Sequence, residues 1–149
     1  MSQPTIYEVC EAVAAAIAAA GLFPGGAEIA ARWQPPRDLA EIGPLEVHVV
    51  PVRTRLERIT RGAFHAEYVV HVPTLGRADS HDDVAFGAAA AAAEALEAYL
   101  LGPDCRPLGM DRLEEEPEEV PAYAPAAAQQ RGLFARVLTI TYAQGRDAA

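Results

Sequence analysis

Four histidines, His48, His65, His71 and His81, are the side chains of this sequence best suited to hold a metal or move a proton. None stands in an HExxH context, and no two share the i, i+4 spacing that sets paired imidazoles on one helix face. His65, Glu67 and His71 fall on one face of a strand pattern. At roughly 3.3 Å per residue His71 lies about 20 Å along that strand from His65, so the two cannot share one ion. His48, on the preceding strand, is placed to approach either. A face of His48, His65, His71 and Glu67 is where a small metal- or ligand-binding domain or enzyme would do its chemistry.

Other catalytic equipment is sparse. The chain has no lysine and no asparagine, and its serines are Ser2 and Ser80. A P-loop lysine, a Schiff-base lysine and a serine-nucleophile elbow are thereby excluded. Two cysteines, Cys10 and Cys105, supply neither a disulfide framework nor a metal cage, and point to a reducing compartment. The reading is of a protein that is not an enzyme and uses no cofactor or metal.

Charge is the stronger signal. Asp111, Glu114, Glu115, Glu116, Glu118 and Glu119 form an acidic cluster. It lacks the contrasting environments that divide acid from base, and the alternating frame of a calcium loop. It reads as a solvated loop or as a docking or lumen-lining segment. Arg53, Arg55, Arg58 and Arg61 make the opposite feature, with Glu57 the acid among them. In a regular strand Arg53, Arg55 and Arg61 share a face. Such a strip is either hydrated or an interface, since arginine suits desolvated ion pairs. The lone Trp33 precedes a proline arm and serves as core or as anchor for a neighbouring subunit. These arginines, acids and Trp33 are the expected subunit interface.

Net charge is −9 over 149 residues, so the chain repels nucleic-acid phosphates rather than binding them. Hydrophobic residues reach 51%, much of it alanine, enough for one folded domain over 1–149. No run approaches the roughly 18 to 20 strongly apolar residues of a membrane span, and no signal-peptide pattern opens the sequence.

The elements that must position these residues read as follows. Thr5 and Glu8 form a capping box, Ile6, Val9, Cys10, Val13 and Ile17 recur at helical spacing, and Gly21 stops a helix of about 5–20. Residues 27–34 suit a short strand, and 35–44 a proline-punctuated loop. Leu45–Val52 alternates as a strand, Pro51 marks an edge or bulge, and 53–72 reads as a hairpin turning at 61–63. A second helix begins near Asp79-Ser80, carries the stripe Phe86, Ala89, Ala93, Leu96 and Leu100, and stops at Gly102-Pro103. Residues 108–114 form a weak strand, 114–130 a loop, 133–142 the last strand and 143–149 a frayed tail. The class is α+β: a mostly antiparallel sheet with two helices packed on one face, the other face needing water or a partner.

The stretch Leu56-Glu57-Arg58-Ile59-Thr60-Arg61-Gly62-Ala63-Phe64, running into Tyr68-Val69-Val70-His71-Val72, resembles the central hairpin of tail-completion proteins of tailed phages and prophages. The Leu45–Val52 strand, the closing Val137–Tyr142 strand and the element order are also similar to that family. The resemblance implies a virion protein, a tail terminator-like subunit that forms a homo-oligomeric ring, commonly a hexamer. The ring caps the tail tube protein, meets the neck or connector protein and lets DNA pass through its lumen without specific binding. It implies assembly in the host cytoplasm and no membrane. A neck stopper or minor tail protein is the alternative place in the same particle.

Overall fold

The computed structural model describes residues 4–23, 27–34, 45–60, 63–77, 83–113 and 133–147. The chain forms α1 (Ile6–Ala20), β1 (Glu28–Ala31), β2 (Glu46–Thr60), β3 (Ala63–Arg77), α2 (Asp83–Leu100), a short 3-10 turn (Pro107–Gly109), β4 (Asp111–Leu113) and β5 (Leu133–Asp147). The strands make one sheet in the order β1-β2-β3-β5-β4. Among the described strands β1 alone runs parallel to its neighbour, and the other pairings are antiparallel. The α+β class read from the sequence is the observed one.

Local chemistry sets the ends of α1. The Thr5 hydroxyl accepts from the Glu8 amide at 3.2 Å, and Gly21 closes the helix in the left-handed region at φ 66. Val9, Cys10, Val13 and Ile17 are then fully buried on one stripe, against Val47 and Val49 of β2 and Tyr68, Val70 and Val72 of β3. Leu96 and Leu100 of α2 enter the same core beside Ile140 and Tyr142 of β5. Ala89 and Ala93 pack near Phe134, their small side chains letting the helix lie close to the strand. The side chain of Phe86, and residues 78–82 where the helix was expected to begin, lie outside the described residues. Both helices therefore cover the face formed by even-numbered positions of β3 and β5.

Three expectations need revision. The hairpin strands are longer than the pattern suggested: β3 runs on to Arg77, with Arg77 opposite Leu133. The last strand does not fray at 143, because Ala143–Asp147 pairs with Ala63–Glu67 and extends β5 to Asp147. Nor does the whole second sheet face stand open to water: Arg55 is exposed on it, but Val69 is 0% exposed, His48 1% and Thr141 2%, with Val50, Leu75 and Ala135 also buried. The reason is visible in Tyr68-Val69-Val70, an uninterrupted apolar run of the kind that marks a strand buried on both sides. Residues 35–44 and 114–130, expected as loops, lie outside the described residues.

Candidate interaction surface

The arginine strip is shaped by an irregularity in β2. Val50 and Pro51 face His71 and Val70, but Arg53 faces Val69, so one residue of β2 is left over between Pro51 and Arg53. Pro51, which has no N–H to give a ladder, sits beside this bulge. The extra residue reverses the alternation. Before it, Val47 and Val49 point toward the helices; after it, Arg53 and Arg55 join the rows of Val69 and Glu67 on the face away from them. Without the bulge those two arginines would aim into the helix-bearing side.

Arg53 and Arg55 thus share a face, as expected. Arg58 stands in register with Phe64, a row of opposite parity, and a further register shift falls between Arg58 and Thr60. The strip is consequently not one continuous face. Arg61 lies outside the described residues, as do Glu114, Glu115, Glu116, Glu118 and Glu119.

The register carries Arg55 across the whole sheet. Arg55 is the partner of Glu67, Glu67 of Ala143, and Ala143 of Asp111. The strip on β2 and the start of the acidic cluster on β4 therefore occupy one row and one face, at opposite edges. Within that row Arg55 approaches the Glu67 carboxylate at 3.5 Å, and the His65 ring nitrogen Nε2 lies 3.1 Å from the other Glu67 oxygen. At the far edge Arg106 binds the exposed Asp111 carboxylate at 2.6 Å. Both arginine pairs are solvent-accessible, so each holds its partner weakly.

The histidines do not converge. His48 is enclosed by Arg32, whose Nε–H donates to Nδ1 at 3.1 Å, and by the Glu46 carboxylate, 3.0 Å from Nε2. His65 is engaged with Glu67, and His71 sits opposite Val50. His81 lies outside the described residues. Among the described residues no group of three or more histidine, cysteine or acidic side chains is gathered as a metal cage. No described helix is long and apolar enough to cross a membrane.

Neither thiol is primed for attack. Burial pushes Cys10 up to about 12, with Glu11 adding to the effect. Burial also raises Cys105, partly offset by the nearby Tyr142 and Tyr99 hydroxyls. A nucleophilic cysteine needs the reverse shift.

Trp33 is 63% exposed and stacks on Tyr7, ring centroids 4.6 Å apart. The Tyr7 hydroxyl donates to the Ala31 carbonyl at 3.1 Å, which fixes the ring against the edge strand. Trp33 is therefore not core; it is an exposed aromatic beside an edge. It follows β1, at the same side of the sheet as the Arg55 end of the row that runs to Asp111.

No family model matches the chain. No curated protein matches it either. The functional reading rests on the molecule itself.

Sequence reasoning missed the partners rather than the principals. Arg32, four residues after Glu28, bonds that carboxylate at 2.6 Å while also reaching His48. The alternation of Glu46 and His48 placed them on one face, but nothing in the sequence put Arg32 over them. Arg106 and Arg136 likewise serve as clamps, Arg136 donating to Glu97 on α2 at 2.6 Å. Their roles depend on which strands become neighbours.

Proposed function

We propose that this chain is a structural assembly subunit that closes on itself as a ring, a tail terminator-like protein at the junction of a phage tail tube and its head connector. The observation that carries this reading is the row that puts Arg55 at one edge of the sheet and Asp111 at the other, on the same face. Opposite charges on opposite edges favour head-to-tail contacts, and such contacts close into rings when the rotation between copies permits. The hairpin and closing strand that resemble tail-completion proteins supply the setting. A net charge of −9 suits a lumen through which DNA slides without sticking.

Solution mass tests the ring. Native mass spectrometry of the purified chain is expected to give one closed oligomer, six copies being the expected count, with ring-shaped particles by negative-stain imaging. A monomer throughout the micromolar range overturns the assembly reading. For the place in the particle, immunogold labelling of particles from the source strain should mark the head-proximal end of the tail. Label confined to the tail tip, or absent from particles, overturns the terminator role.

A further inference from the structure

We infer that neighbouring copies join as one continuous antiparallel sheet, β4 of one copy adding to the outer edge of β2 of the next, with Asp111 opposite Arg55; this rests on the ring reading and specifies its interface. β1 pairs with β2 only from Glu46 to Val49, while β2 continues to Thr60. Beyond Val49 no other described strand pairs with that side of β2. At the other side of the sheet β4 bonds β5 alone among the described strands. An edge of this kind presents backbone donors and acceptors ready to pair with another chain.

Strand direction is compatible. β2 and β3 are antiparallel, as are β3 with β5 and β5 with β4, so β4 runs opposite to β2. Copies set side by side in the same orientation then meet antiparallel. The rows align as well. Asp111 stands level with Arg55, Arg112 with Thr54 through Tyr142 and Tyr68, and Leu113 with Arg53 through Thr141 and Val69. A strand in the next slot, about 4.8 Å away, brings the first atoms of facing side chains to roughly 5 Å. A sideways step alone, with no sliding, therefore sets Asp111 against Arg55 of the next copy.

Charge selects this alignment. Each joint would string Arg106, Asp111, then Arg55 and Glu67 of the next copy in alternating sign, building on contacts that exist within one chain at 2.6 and 3.5 Å.

The test leaves the charge pair intact. Arg53→Cys combined with Leu113→Cys places two thiols in facing positions of one row, while the native Cys10 and Cys105 are buried. Mild oxidation of the full chain is expected to give a ladder of covalent multimers on a non-reducing gel. Thr54→Cys with Leu113→Cys, one row off and on the other face, should give at least tenfold less. Arg55→Glu alone should lower the oligomer fraction at least tenfold with an unchanged circular-dichroism spectrum. An oligomer by mass that yields no 53/113 ladder, equal ladders from both pairs, or an oligomer indifferent to Arg55→Glu overturns the edge pairing and leaves the ring standing. A monomeric wild-type chain removes both.

Discussion

The His48 ring and the Glu46 carboxylate lie 3.0 Å apart, two positions along one strand, with side-chain exposures of 1% and 9%. Because Nδ1 accepts from Arg32, the ring proton resides on Nε2 and is donated to Glu46. A neutral imidazole thereby links a cation to an anion and ties the end of β1 to β2. Removing either end strands a buried polar group, which costs about 1–3 kcal/mol. His48→Ala and Glu46→Ala should each lower unfolding free energy by that order in urea titrations, and the double variant by less than the sum. Additive losses would show that the two residues act separately.

Two glycines in the helical layer should respond to alanine in opposite directions. Gly21 holds φ 66, and an added Cβ would meet nothing within 4 Å, so the penalty is purely conformational. Gly21→Ala is expected to destabilise by about 1–2 kcal/mol. Gly87, inside α2, also has open space around it and no positive φ. Gly87→Ala should stabilise by about 0.5–1 kcal/mol. Thermal denaturation of both variants checks the pair of signs.

Cys10 makes stability depend on alkaline pH. Its pKa rises from 9.0 unfolded to about 12 folded, through burial first and Glu11 second. Above pH 9 the unfolded chain gives up this proton and the folded one keeps it, so unfolding is favoured as pH increases. The stability linked to this thiol is fully present below pH 9 and is lost as pH climbs toward 12. Denaturant titrations from pH 8 to 11 should show the wild type losing about 1.4 kcal/mol per pH unit more than Cys10→Ala above pH 9. Parallel curves would mean that Cys10 ionises as freely in the fold as out of it. The same burial keeps the native thiol silent toward a disulfide reagent at pH 8.

Much of the frame was legible because single-strand and single-helix periodicity reports burial directly. Val9, Cys10, Val13 and Ile17 on α1, and Ala66, Tyr68, Val70 and Val72 on β3, occupy the inward positions their spacing dictates. What was not legible depended on neighbours. The bulge before Arg53 changes which residues share a face, and Pro51 hinted at it without fixing its effect. The second buried face was written in Tyr68-Val69-Val70, but the polar residues Glu46, His48 and His71 on that face suggested solvent. The level placement of Arg55 with Asp111 follows from three separate pairings, none of which a local pattern contains.

The unpaired residue between Pro51 and Arg53 decides which way the outer half of β2 faces. Were Val52 to take a regular place opposite Val69, everything downstream would roll over by one half-turn: guanidinium groups would swing beneath the helical layer while Leu56 turned to the far side. One residue held out of the ladder, rather than the identity of the proline or the arginine, is what keeps charge outside the core.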